Sequence, residues 1–203
     1  MSGIVSLIDD TELLLKQEFR TLAVAREYLP MLTDWGVEDF SETVHSLGMN
    51  YLTLVGRVAG RIAVSEYPVR MTPGLGVFAE GPSSVRPDAV WWNRETRSVE
   101  LIGEFERYET YSAKSQVLND KIRNLLLAHR ALGKGPRVLL LMLWAPSGTQ
   151  FQAISEFQSL IRSGFRTPGD VRVAGLEPEA RLVVATAIFA ESAGKVRLKE
   201  ILL

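Results

Sequence analysis

The segment SVELIGEFERYE, residues 98–109, decides how the rest of the chain is read. Residues 98–107 are apolar and β-prone enough for a buried strand, yet Glu100, Glu104 and Glu106 share one parity. Residues i and i+2 of a strand point to the same face. Glu104 and Glu106 are therefore expected side by side, roughly 6.7 Å apart. At an effective dielectric of about 20, such a pair repels by about 2.5 kcal/mol. A face of this kind calls for a cation or for solvent.

Working outward, PDAVWW (87–92) reads as a second strand, joined to the first through NRETR (93–97) as a β-hairpin. Ser112 caps a helix through about Ala131, with Val117, Leu118, Ile122, Leu125 and Leu126 on its apolar face and Gly133 ending it. PRVLLLMLWA (136–145) is apolar on both faces, as a central parallel strand must be. Strand, helix and strand form a βαβ unit with a right-handed crossover. The fold class is α/β: a mixed central β-sheet flanked by helices.

Further elements are expected at 10–29 (helix, N-capped by Asp10 and stopped by Pro30), 38–58 (helix) and 61–69 (strand). The stretch 72–84 is a Gly-, Pro- and Ser-rich loop without the GK[ST] of a phosphate-cradling loop. Ser147 to Gln150 has the pattern of a capping box opening a helix to about Ser163, and 171–176 and 181–189 read as strands. The tail KVRLKEILL (195–203) fits either helix or strand. No repeat or linker divides the chain, so 1–203 is expected to be one domain, with N-terminal helices over 10–58 and a core over about 61–190.

Composition narrows the chemistry. The 203 residues include no cysteine and two histidines, His45 and His129, which excludes disulfides, thiolate zinc sites and His-rich metal sites. Any metal would be held mostly by oxygen, which points to Mg²⁺ or Mn²⁺. The longest apolar run, 138–145, is too short to span a membrane, and the N-terminus lacks a signal-peptide pattern, so a cytoplasmic protein without a membrane partner is expected. Net charge is −1, but residues 107–137 carry seven basic side chains against Glu109 and Asp120, a net of +5 that leaves −6 for the rest. A basic segment directly after an acidic strand suits a phosphate-binding metal site.

The hairpin register offers a test. Asp88 shares a face with Glu104 when the pairing sum is even: 88 opposite 104, 90 opposite 102, 92 opposite 100. A two-residue turn at Glu95-Thr96 would pair 88 with 103 and turn Asp88 away. Glu-Thr is a poor turn of that kind, since the favoured types want Asn or Gly. An odd loop or a bulge is expected.

Pro87-Asp88, fifteen intervening residues and Glu104-Phe105-Glu106, in strand, strand, helix, strand order, resembles the PD-(D/E)XK nuclease superfamily, the restriction-endonuclease-like proteins. The resemblance covers about 60–145. It implies a Mg²⁺- or Mn²⁺-dependent DNA endonuclease, with DNA as partner and a homodimer as one way to cut both strands. Asp88, Glu104 and the Phe105 carbonyl would hold the metal. Glu106 stands where the family has a lysine; it would accept a proton from the attacking water or hold a second metal. Lys114 and Lys121, seven residues apart on the helix, are candidates for a migrated lysine that stabilises the phosphorane charge. Gln116 falls where some members keep a functional glutamine. An acid from the preceding helix often completes such sites, with Glu42 the candidate and Glu80 behind it. The missing lysine supports an alternative: a non-catalytic domain of this fold that binds nucleic acid or a protein partner. His45 reads as a packed or surface residue, His129 as a cation that suits the dipole late in its helix, and Trp91-Trp92 as packing before base stacking.

Overall fold

The computed structural model describes residues 2–39, 41–71, 84–108, 112–150, 155–167 and 169–203; for 2–9, 41, 112–116, 155 and 156 it describes the backbone alone. In chain order the elements are α1 (Ser2–Thr21), α2 (Ala23–Tyr28), a π-helical turn (Met31–Trp35), β1 (Val37–Glu38), α3 (Ser41–Val58), β2 (Ile62–Val64), β3 (Val69–Arg70), β4 (Ser84–Val85), β5 (Ala89–Trp92), β6 (Val99–Arg107), α4 (Ser112–Ala131), β7 (Val138–Pro146), α5 (Ser155–Ser163), β8 (Phe165–Arg166), β9 (Arg172–Val173), β10 (Arg181–Ser192) and β11 (Lys195–Leu202).

Val138 to Ala145 are buried on both faces, and β7 lies at the centre of a seven-stranded sheet of order β1-β11-β10-β7-β6-β5-β2. It pairs in parallel with β6 and β10, and antiparallel strands extend the sheet on both sides. This is the mixed sheet flanked by helices that the βαβ pattern implies. Strand parity divides the core in two. Trp91, Leu101, Phe105, Leu140, Met142 and Trp144 pack with α1, α2 and α3. Val90, Ile102, Leu139, Leu141 and Leu143 pack with Leu118, Ile122, Leu125 and Leu126 of α4. Two glycines bring α3 onto the sheet: a Cβ would come within 2.2 Å of the Phe105 ring at Gly48 and within 2.7 Å of the Trp91 indole at Gly56. No described helix is long and apolar enough to cross a membrane.

Several expected boundaries move. The helix expected at 10–29 starts earlier and breaks at Leu22, which is buried with φ 52°. The Glu18 carboxylate accepts the Val24 and Ala25 N–H groups and the Tyr51 hydroxyl, satisfying donors that the break exposes. Val37 and Glu38 form β1 instead of opening the next helix. The strand expected at 61–69 is split into β2 and β3, with Glu66 at φ 50° between them. Residues 72–83 lie outside the described residues, Glu80 among them. The Ser147–Gln150 stretch makes a turn in which the Thr149 hydroxyl donates to the Pro146 carbonyl, and the following helix is described from Ser155. Of 171–176, Arg172 and Val173 pair with β8. The ambiguous tail is β11, hydrogen-bonded to β10 and β1.

Candidate active site

The β5–β6 register brings the acids together. Ala89 lies opposite Gly103, Val90 opposite Ile102 and Trp91 opposite Leu101, an even pairing sum. Trp92 then faces Val99, so a bulge leaves Glu100 as the extra residue. The expected pairing of 92 with 100 is thus corrected, and so is the odd loop. The Asn93 N–H bonds the Ser98 carbonyl around a four-residue connection with Arg97 at φ 58°. The bulge supplies the parity. Glu100 leaves the row of acids, and its carboxylate is held by Arg61 at 2.9 Å and Asn93 at 2.8 Å.

Asp88, just ahead of β5, accepts the Phe105 N–H through Oδ2 at 2.8 Å. The N–H and carbonyl of one strand residue leave on the same side, so the Phe105 carbonyl also faces the end of β5. Glu104 is 1% exposed, and its Oε2 accepts Lys121 Nζ at 2.7 Å. Lys121 reaches in from the middle of α4; its Nζ also lies 3.5 Å from Asp88 Oδ2 and 3.7 Å from Glu106 Oε2. From α3, His45 Nε2 stands 3.4 Å from Asp88 Oδ2. The group sits on the C-terminal half of β6, beside a cavity of about 300 Å³ lined by Glu42, His45, Ser46, Glu106, Arg107 and Trp144. Arg107 stacks on the Trp144 ring at 4.7 Å and pairs with Asp39 at 3.2 Å.

Burial, then the Asp88 charge, pushes the Glu104 carboxyl up to about 8 against the pull of Lys121. Burial also raises Asp88, but the bond from His45, the Lys121 charge and the Phe105 N–H outweigh it and hold the carboxyl below its ordinary value. Burial opposes the charge on Lys121, yet Glu104, Asp88 and Glu106 together raise its pKa. His45 is raised by its bond to Asp88, with burial opposing.

Of the residues the sequence singles out, the structure brings together Asp88, Glu104, Phe105, Glu106 and Lys121. Glu42 is exposed and lines the cavity, one turn before His45. The side chains of Lys114 and Gln116 lie outside the described residues. His45, expected to be bland, is part of the group; nothing local announces it, because its partner is 43 residues away. The oxygens of Asp88, Glu104, Glu106 and the Phe105 carbonyl are of the hard kind a divalent cation takes, and Glu104 Oε1 is buried without a described donor. Among the described residues, no three histidine, aspartate or glutamate side chains stand ready around one cation position. The Lys121 ammonium stands among the carboxylates instead. Comparison with family models, with curated proteins and with solved structures gives no match for this chain.

Proposed function

We propose that this chain is a divalent-metal-dependent DNA endonuclease of the PD-(D/E)XK type, hydrolysing phosphodiester bonds with Mg²⁺ or Mn²⁺. The observation that carries the reading is the approach of Lys121 Nζ to Asp88, Glu104 and Glu106, all within 4 Å, on the C-terminal half of β6. Asp88, Glu104 and the Phe105 carbonyl would hold the metal, which when bound polarises the phosphoryl oxygen and lowers the pKa of a water. Glu106 is half-buried and faces the cavity, where it accepts the proton of the attacking water. Lys121, migrated to α4 from the strand position that Glu106 occupies, supplies the positive charge that balances the pentavalent phosphorus centre. His45 and the Phe105 N–H hold Asp88 ionised and oriented.

The test is incubation with plasmid and linear DNA in Mg²⁺, in Mn²⁺ and in EDTA. Cleavage is expected with either metal, lost in EDTA and in Asp88→Ala and Glu104→Ala. DNA binding without cleavage under any metal would sink the nuclease reading. It would favour a non-catalytic domain that binds nucleic acid or a protein partner, in which Lys121 permanently neutralises the acids.

A further inference from the structure

We infer that Lys121 is an internal stand-in for the metal: its ammonium holds the cation position in the metal-free protein and is released when a divalent cation enters. This rests on the metal-site reading above and adds how that site is regulated.

Four observations carry it. The ammonium has three N–H donors, and three carboxylates lie at 2.7, 3.5 and 3.7 Å from it, with Glu104 the closest. The ammonium reaches one oxygen of Glu104 and leaves the other: Oε1 is buried and receives no hydrogen bond from a described donor. One ammonium brings a single positive charge to this group, whereas a divalent ion bound through oxygens brings two. Arg107, a second cation beside the cavity, is committed elsewhere, tethered to Asp39 and stacked on Trp144. Finally, the backbone of Lys121 is fixed within a twenty-residue helix, but its four-carbon stem lets the head withdraw without moving the helix. Exchange would free the lysine to meet a phosphate only once the cation is in place, so the same residue guards the empty site and serves the loaded one.

The experiment is Mn²⁺ binding, followed by calorimetry or by the Mn²⁺ spin-resonance signal, to the wild type, to Lys121→Met and to Arg130→Gln as a charge control farther along α4. Removing the competitor is expected to tighten Mn²⁺ binding by about 10- to 100-fold in Lys121→Met. Arg130→Gln is expected to match the wild type. Wild-type binding with unchanged or weaker binding in Lys121→Met overturns the stand-in role and leaves the metal site standing. Equal tightening in Arg130→Gln also overturns it, by reducing the effect to general charge. No Mn²⁺ binding by any of the three removes the metal-site reading and this inference with it. A second measurement needs no substitution: amine acylation of wild-type Lys121, read by peptide mass spectrometry, is expected to rise several-fold on adding Mn²⁺. Labelling that stays level or falls overturns the exchange.

Discussion

Two buried glutamates four residues apart on β6 meet opposite fates. Glu100 is held by rigid partners on both oxygens: Arg61, which also donates to the Ala59 carbonyl at the end of α3, and Asn93, whose own Oδ1 accepts the Glu95 and Thr96 N–H groups of the hairpin turn. Among the described residues Glu104 shares the Lys121 ammonium with Asp88 and Glu106, and its Oε1 receives no hydrogen bond. A buried charge matched one to one on fixed partners serves architecture. A buried acid crowded with its own kind is costly to ionise, and groups perturbed in this way cluster at functional sites. The bulge at Trp91/Trp92 is the device that separates the two, taking Glu100 out of the row of acids.

The largest test of this contrast is cleavage itself. Asp88→Asn and Glu104→Ala are expected to lower metal-dependent cleavage by about 10³-fold or more. Glu100→Ala should leave the rate per folded molecule unchanged. Equal losses in all three would erase the distinction. Stability should rank the other way. Glu100→Ala strands the Arg61 guanidinium and is expected to cost about 3 kcal/mol, read from the urea midpoint. A loss under about 1 kcal/mol would mean that Glu100 is no anchor.

How much of this was legible follows from how local each cause is. The strand at 98–107, the helix at 112–131 and the strand at 136–145 could be read because periodicity and capping lie within each segment. The shared face of Asp88 and Glu104 followed from pairing parity. The bulge could not be placed, because no Gly or Pro marks Glu100; its stabilising partner, Arg61, is 39 residues away. The break at Leu22 is likewise set by Tyr51 bonding Glu18 across 33 residues. In β11, Val196 and Leu198 alternate as a strand should, but a second bulge, opposite Ile188/Phe189, puts Ile201 out of phase. That irregularity is what made the tail ambiguous. His45 was invisible for the same reason as the bulge: a histidine gains meaning from its partner.

The contrast also has a pH signature. Glu104 is raised to about 8 from 4.5, so between those values the folded protein keeps a proton that the unfolded chain has lost. Stability must therefore fall as pH rises through this window, and His45, raised by Asp88, adds to the same trend as it loses its proton. In Glu104→Gln the Glu104 part of the slope disappears. The expected difference between wild type and variant is on the order of 2 kcal/mol between about pH 5 and pH 8.5. Thermal midpoints across that range check it. Parallel pH profiles would show that Glu104 ionises as freely as a surface acid and would remove its distinction from Glu100.

The smallest effect belongs to a third kind of buried ionisable group, which is neither matched nor crowded. Both ring nitrogens of His129 are buried, with only a weak approach to the Pro136 backbone, and the Glu177 carboxylate is 3.7 Å from Nε2. Burial lowers its pKa from 6.5 to about 4, helped by the charges of Lys134 and Arg137. Here the sign is reversed. Between those values the unfolded chain binds a proton that the folded protein refuses, so stability is lost as pH falls from about 6.5 to 4. His129→Gln is expected to remove about 1–2 kcal/mol of that acid loss while leaving the alkaline loss assigned to Glu104 intact. If the variant instead flattened the alkaline side, the two ionisations would be coupled through α4, and Glu104 could no longer be treated as a feature of the site alone.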